Sequence, residues 1–181
     1  YRLSMTTSGI LEASRTIARD ARIKSLTMTS SRKTSHIGSC FSVIDILAVL
    51  FSQKQTQTAE CRSNVILSKG HAAAALYGVL DSVGQLVDEL ESFCAPNSTL
   101  YGHVNHHASK EIPLSTGSLG HGLPFGLGIA IANSKKSSNI KTYVVISDGE
   151  LNEGSIWEAV MFAAHFKLDN LIVIVDQNGF Q

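Results

Sequence analysis

The chain has 181 residues, 44% of them hydrophobic, and its 15 basic and 15 acidic side chains cancel. This length and composition predict one globular domain with a substantial core. The balanced charge argues against a nucleic-acid surface or a membrane-attracted face, because both require an excess of basic side chains. We therefore expect a small-molecule ligand, and neither nucleic acid nor membrane as a partner.

The cysteines Cys40, Cys61 and Cys94 are widely spaced and form no CxxC pair. Their number and spacing indicate neither a disulfide framework nor a thiolate zinc site. No apolar stretch approaches the ~20 residues of a membrane helix, and the N-terminus has no charged-then-apolar signal region. We expect a protein of the reducing cytoplasm.

The first half of the chain predicts two helices, a strand and a third helix. Apolar side chains at helical spacing predict a helix over residues 9–30. The apolar run 43–51 predicts a helix buried on several sides, and its Asp45 is expected to be paired, with an arginine at an interface as the candidate partner. A short strand at 65–67 then leads through a turn into an alanine-rich helix over 71–80.

Residues 94–118 lack periodicity and contain two of the three prolines, so they predict a long loop. Long ordered loops in compact domains are often functional. The glycine-rich segment that follows opens another helix, in which Gly126 and Gly128 are expected to allow close approach to a neighbouring element.

The last third of the chain predicts strand 142–146, helix 155–166 and strand 171–175. Two continuous apolar strands joined by a helix are typical of a right-handed βαβ unit. The fold class is therefore α/β, with a mainly parallel sheet in a three-layer α/β/α arrangement. Ligands of such sheets bind outside the carboxyl ends of the strands.

Asp148 and Gly149 follow the first of these strands, and Asn178 follows the second. If the strands are neighbours, a carboxylate and an amide oxygen converge there and form part of a hard oxygen shell, which suits Mg²⁺ completed by phosphate and water. Gly149 lets the backbone approach such a phosphate. The alternative is that Asp148 and Asn178 are ordinary turn residues, since Asp, Asn and Gly dominate turns.

Residues 147–181, SDGELNEGSIWEAVMFAAHFKLDNLIVIVDQNGFQ, resemble the thiamine-diphosphate fingerprint of transketolases, a Gly-Asp-Gly followed by a distant Asn. Ser147 replaces the usual first glycine. Four further segments resemble transketolase motifs in the family's order: SHIGSCFSVIDILAVLF, LSKGHAAAALYGVL, YGHV and STGSLGHGLPFGLGIAIA. The pattern is most similar to transketolases divided into two polypeptides, of which this would be the N-terminal, diphosphate-binding subunit.

The resemblance implies a set of cofactor contacts. Asp148, Asn178 and the backbone carbonyl of Phe180 would bind Mg²⁺ or Ca²⁺. His71 and the amide of Gly149 would contact the diphosphate of thiamine diphosphate.

It also implies residues at the other end of the cofactor and at the substrate. Gly117 and Leu119 would line the aminopyrimidine. His36 and His103 match substrate-facing histidines that transfer protons and contact ketose hydroxyls, a role that suits imidazole because its pKa lies near neutrality.

The acidic residues after Asp148 are assigned differently. Glu153 and Glu158 match family acids that lie near a dimer interface and link two cofactor sites, although a helix N-terminus would favour them there in any case. Glu150 matches no family site, and we expect it to be solvated. Trp157 is expected to be a core or subunit-contact residue rather than a substrate platform.

His106 and His107 are expected to be surface residues. A zinc site built from them and His103 is a competing hypothesis. It is disfavoured because adjacent histidines cannot easily face one metal and no fourth ligand is evident.

The resemblance implies transfer of a two-carbon ketol unit from a ketose or ketose phosphate to an aldose. The glutamate that activates the aminopyrimidine of the cofactor, which this chemistry requires, would come from a second, pyrimidine-binding domain. Nothing in these 181 residues corresponds to that domain. We therefore expect residues 1–181 to form a single diphosphate-binding domain, incomplete at its C-terminus. It would be active only with a partner subunit, in a heterotetramer that contains a homodimeric contact.

Two alternatives remain open at this point. One is a related thiamine-diphosphate enzyme with another donor or acceptor, such as a deoxyxylulose-phosphate-synthase-like enzyme or a carbon-carbon ligase of specialised metabolism. The other is a non-catalytic binding protein that keeps the fold.

Overall fold

A computed structural model describes residues 7–58, 62–136, 138 and 140–179. The predicted helices and strands are present, and the second helix extends well beyond the apolar run 43–51 on both sides. The helices are α1 (Thr7–Arg32), α2 (Ile37–Thr56), α3 (Ala73–Ser82), α4 (Gly122–Lys135) and α5 (Gly154–His165), and the strands are β1 (Asn64–Leu67), β2 (Thr142–Ser147) and β3 (Leu171–Asp176).

The described strands form one parallel sheet in the order β1-β2-β3. The register places Val144 beside both Ile66 and Val173, and it places Ser147 beside Asp176. Strands β2 and β3 therefore end side by side, as the strand-neighbour hypothesis requires. This confirms the prediction of an α/β fold with a parallel sheet.

Helices cover the sheet on both faces. Val65, Leu67 and Val145 join a core formed with α1, α2 and α3. Ile66 and Val144 point to the opposite face, since successive side chains of a strand alternate, and they pack with residues of α4 and α5. The arrangement is the predicted three-layer α/β/α architecture.

Helix α1 packs on α3 through small side chains. Ser25 donates a hydrogen bond from its hydroxyl to the Ala74 carbonyl at 3.1 Å. A Cβ on Gly78 would lie 3.0 Å from the Ala21 carbonyl oxygen. The two backbones therefore approach closely within the core that α1, α2 and α3 form together.

Helix α2 is a core helix despite its composition. It has 20 residues, and an 18-residue window within it has a mean hydropathy of 1.4, so it is long and apolar enough to span a membrane, contrary to the expectation that no such stretch exists. Val43, Ile44 and Leu47 are nevertheless fully buried against α1 and α3. Asp45 is exposed and pairs with Arg22 of α1, so the expected pairing with an arginine is confirmed, but within the chain. The apolar surface of α2 thus belongs mainly to the domain core.

The predicted loop 94–118 is ordered by buried anchors, with a single 3₁₀ turn at His106–Ala108. Leu100 and Val104 join the core formed with α1, α2 and α3. Thr116 donates a hydrogen bond from its hydroxyl to the Leu67 carbonyl at 2.7 Å. These contacts hold the loop against the carboxyl end of β1.

Only one of the two glycines singled out in α4 permits close packing. A Cβ on Gly126 would lie 2.5 Å from Cγ2 of Val144, so the helix rests directly on β2. Gly128 has no atom within 4 Å of such a Cβ, and its assignment as a close-approach residue is wrong. It lies on the exposed side of the helix.

We predict opposite effects of alanine at these two positions. Gly126→Ala should lower the free energy of unfolding by roughly 1–3 kcal/mol, because the added methyl overpacks the helix against Val144. Gly128→Ala, the matched control, should raise it by up to about 1 kcal/mol through helix propensity. Urea denaturation measures both values. Equal effects of the two substitutions would contradict the packing described for α4.

Candidate functional site

The carboxyl ends of β2 and β3 converge on Asp148. One of its carboxylate oxygens accepts a hydrogen bond from the amide of Gly179 at 2.9 Å, and the other accepts from Gly149 at 3.1 Å. Lone pairs remain on both oxygens, so the carboxylate could also bind a cation. Asn178 is partly buried beside it, while Phe180, the third predicted metal ligand, lies outside the described residues.

A cavity of about 590 Å³, here called the sheet-edge cavity, opens at this point. Its walls include five of the predicted cofactor-binding residues: His71, Leu119, Gly149, Glu153 and Asn178. Four further lining residues were not predicted: Ser39, Lys69, Ser147 and Asn152. The sequence motifs thus come together in space, although 107 positions separate His71 from Asn178 in the chain.

A second cavity, of about 320 Å³, holds the predicted substrate-facing histidines and is here called the histidine cavity. The ring of His36 lies 5.2 Å from that of His71 and 6.3 Å from that of His103, measured between centroids. His71 lines both cavities. A Cβ on Gly117 would lie 3.4 Å from the His103 ring, so the Gly117 backbone lies next to this histidine.

The turn that carries His36 has an unusual backbone. Lys33 and His36 both adopt positive φ angles, 52° and 73°, which residues other than glycine seldom do. Both line the histidine cavity. Backbone strain of this kind is concentrated at functional sites, where the surrounding structure fixes it.

His71 is neutral at physiological pH. Burial lowers its pKa from the ordinary value of 6.5 to about 4, and the positive charge of Lys69 adds to the effect, as do His36 and His103. Its Nε2 lies 3.1 Å from the Ser39 hydroxyl. A neutral imidazole presents one donor and one acceptor, so His71 can orient a polar ligand without contributing charge.

Lys69 is fully buried beside the sheet-edge cavity and forms an ion pair with Asp176 at 2.6 Å. The Ser42 hydroxyl donates to the other oxygen of Asp176 at 2.5 Å. The sequence pattern predicted only a turn at Lys69, and this pair was missed. A signal was available, since a lysine and an aspartate each lie at or just past the carboxyl end of an apolar strand.

Glu150 is fully buried, and the prediction that it is solvated is wrong. One carboxylate oxygen accepts hydrogen bonds from the Ser68 hydroxyl at 2.5 Å and from the Gly120 amide at 3.0 Å. The other accepts from the Ser147 amide at 2.9 Å. Glu150 therefore connects segments that surround the sheet-edge cavity.

Glu153 and Glu158 are both exposed. Glu153 occupies the position before α5 and makes no side-chain capping hydrogen bond, so it remains available at the cavity rim. Trp157 is 52% exposed and donates its indole N–H to the Leu151 carbonyl at 2.7 Å. Of the two roles expected for Trp157, the core role is wrong, and subunit contact stays a prediction.

His106 and His107 are exposed, as predicted. Their rings lie 3.9 Å apart, and His106 hydrogen-bonds the Ser115 hydroxyl rather than turning toward His103. In the part of the chain that the structure describes, no group of three or more His, Cys, Asp or Glu residues could hold a metal. The alternative zinc site gains no support.

Comparison with known proteins agrees with this geometry. The family model "Transketolase, thiamine diphosphate binding domain" matches residues 13–181, and the chain belongs to this family. One of the subunits of an apulose-4-phosphate transketolase from Actinobacillus succinogenes is 41% identical over 152 residues, which cover 81% of this chain and 55% of that protein. Human transketolase is 38% identical over 176 residues, 93% of this chain and 28% of that protein.

Solved transketolases share the fold. The structure from Leishmania mexicana superposes with a TM-score of 0.81 at 27% identity, covering 93% of this chain and 28% of that one. The structure from Campylobacter jejuni gives 0.78 at 29% identity and covers 98% of this chain and 29% of that one. The chain thus spans about half of the Actinobacillus relative and under a third of these transketolases.

The buried ion pair predicts a large stability effect. Lys69→Met should lower the free energy of unfolding by about 3–5 kcal/mol, because it leaves the Asp176 carboxylate buried without its cation. The double variant Lys69→Met/Asp176→Leu should recover much of this loss. Arg19→Met, which breaks the exposed pair with Asp20, should cost less than about 1 kcal/mol. Chemical denaturation tests all three, and equal costs for Lys69→Met and Arg19→Met would refute the buried pair.

The lowered pKa of His71 predicts a pH dependence of stability. Between pH 6.5 and about 4 the unfolded chain protonates this histidine and the folded protein does not. Stability from this residue is therefore complete above pH 6.5 and falls as the pH drops through that window. In urea titrations from pH 7.5 to 4.5, His71→Gln should flatten the decline. His106→Gln makes the same substitution at an exposed histidine and is the matched control. An unchanged slope in His71→Gln would contradict the assignment.

Proposed function

We propose that this chain is the diphosphate-binding subunit of a transketolase-type transferase, which moves a two-carbon ketol unit from a ketose or ketose phosphate to an aldose. The observation that carries this proposal is the sheet-edge cavity, whose walls bring Gly149 and Asn178 together with His71. The Asp148 carboxylate lies next to this wall and accepts a hydrogen bond from the Gly149 amide. Membership of the transketolase thiamine-diphosphate-binding family supports it. Relatives named as transketolase subunits support a division of the enzyme between two polypeptides.

The donor set at the sheet edge fits a hard divalent cation. The Asp148 carboxylate, the side-chain oxygen of Asn178 and the carbonyl of Phe180 would hold Mg²⁺ or Ca²⁺. The amide of Gly149 and the neutral imidazole of His71 would bind diphosphate oxygens. Gly117 and Leu119 would bound the aminopyrimidine end of the cofactor.

When bound, thiamine diphosphate supplies the electron sink for breaking and forming the carbon-carbon bond. His36 and His103 would bind the ketose hydroxyls and transfer their protons in the histidine cavity. Both line that cavity, and imidazole both gives and takes a proton near neutral pH. Because His71 lines both cavities, the substrate would lie next to the cofactor.

The glutamate that activates the aminopyrimidine would come from a pyrimidine-binding partner subunit, and the assembly would be a heterotetramer. The exposed side of α5 suits a subunit contact: Trp157 is 52% exposed, Met161 70% and Phe162 44%. Glu153, at the cavity rim and the start of α5, would link two cofactor sites across the homodimeric contact, together with Glu158. Cys40 and Cys94 are free thiols, which fits a cytoplasmic location.

We predict that Asp148→Asn abolishes tight binding of thiamine diphosphate with Mg²⁺. The substitution keeps an oxygen acceptor for the Gly149 amide but removes the ligand charge that a divalent cation requires, so the affinity should fall on the order of 100-fold. Isothermal titration calorimetry of the full chain, with and without the partner subunit, measures the change. Asp169→Asn is the matched control, because Asp169 is an exposed loop residue preceding β3.

The same titration separates the alternatives. Binding that tightens with the partner and requires Asp148 supports a shared cofactor site, after which donor and acceptor screening distinguishes transketolase activity from that of related enzymes. Absence of binding in wild-type protein, even with the partner, would show a non-catalytic protein that retains the fold.

A further inference from the structure

Glu150 lies under the sheet-edge cavity, at the point where three separate segments of the chain meet. It is 0% exposed. Its carboxylate accepts hydrogen bonds from the Ser68 hydroxyl after β1, from the Gly120 amide before α4, and from the Ser147 amide at the end of β2. Ser68 and Gly120 lie 82 and 30 residues away in sequence, so the network is tertiary rather than local.

Each of these segments continues directly into the wall of the sheet-edge cavity. Ser68 is followed by Lys69 and His71, and Gly120 is preceded by Leu119. Ser147 lines the cavity itself and is followed by Asp148 and Gly149. A displacement of any segment at the Glu150 network would therefore move residues that face the proposed cofactor.

A carboxylate suits this position because every group that faces it is a donor. Ionised glutamate only accepts hydrogen bonds, and its two oxygens meet one hydroxyl and two amide N–H groups. Ser68 extends the network, since its hydroxyl oxygen accepts from the Gly122 amide at 3.1 Å. Glutamine would point its NH₂ group at one of these donors and leave a buried N–H without an acceptor.

The surrounding backbone leaves little room for adjustment. A Cβ on Gly122 would lie 2.4 Å from the Ser68 Cβ. Gly120 adopts a φ of 81°, and a Cβ there would lie 2.7 Å from the Ser155 hydroxyl oxygen. The segments are therefore packed in direct contact around the Glu150 hydrogen bonds.

We propose that Glu150 is a positioning residue for thiamine diphosphate. It fixes the loop after β1, the loop before α4 and the end of β2 relative to one another, and thereby sets the spacing of His71, Leu119 and Gly149. Glu150 itself does not touch the cofactor. This inference rests on the proposed function, because it assumes that the sheet-edge cavity binds that cofactor.

The test compares Glu150→Gln with Glu12→Gln, which makes the same chemical change on the exposed side of α1. The first readout is amide hydrogen exchange in cofactor-free protein, where Glu150→Gln should expose the Gly120 and Ser147 amides and leave the β2 interior protected. The second is calorimetric binding of thiamine diphosphate with Mg²⁺ to the full chain with its partner, where affinity should fall about 10–100-fold. Glu12→Gln should match wild type in both.

A second pair of variants covers failure of Glu150→Gln to fold. Ser68→Ala removes one donor to Glu150 and the acceptor for Gly122, whereas Ser109→Ala removes a buried serine that bonds the Gln85 carbonyl away from both cavities. Ser68→Ala should weaken cofactor binding several-fold more than Ser109→Ala. Equal effects of these two substitutions would overturn the proposal.

The two ways of failing are distinguishable. Wild-type binding together with unchanged affinity in Glu150→Gln overturns the positioning role, even if exchange at Gly120 and Ser147 rises. Absence of binding in wild-type protein overturns the proposed function, and with it the assignment of thiamine diphosphate. In that case unaltered exchange in Glu150→Gln would also show that this residue does not fix the three segments.

Discussion

The structure depends on the parallel, in-register pairing of β2 with β3. This register sets Ser147 beside Asp176, so the residues that follow both strands emerge at one edge of the sheet. Asp148 then reaches across to the Gly179 amide, which connects the two strand ends through a side chain. A shift of one residue would turn every β3 side chain to the opposite face and separate these groups.

The same edge concentrates buried charge. Lys69 and Asp176 form an ion pair beneath the cavity, and Glu150 is surrounded by hydrogen-bond donors nearby. Such groups are costly to remove from water and are retained only when their partners are well placed. The loops around these charges must therefore be arranged so that each charge meets its partner. Apolar side chains would not require such specific contacts.

Much of this arrangement could be predicted from the sequence. Apolar runs and helical spacing indicated the elements and their order, and Asp148 and Asn178 were recognisable because each follows a strand. Glu150 and Lys69 were not, because their partners lie 82 and 107 residues away and burial depends on tertiary packing. Gly128 shows the opposite error, since a glycine in a helix indicates possible close contact without showing which face meets a neighbour.

The position of His71 in both cavities has a thermodynamic consequence. A molecule in either cavity would meet the same imidazole, because His71 lines both. Any effect that occupancy of one cavity has on the affinity of the other is equal in both directions. One shared side chain is therefore a route for energetic coupling between the two cavities that needs no movement of the sheet.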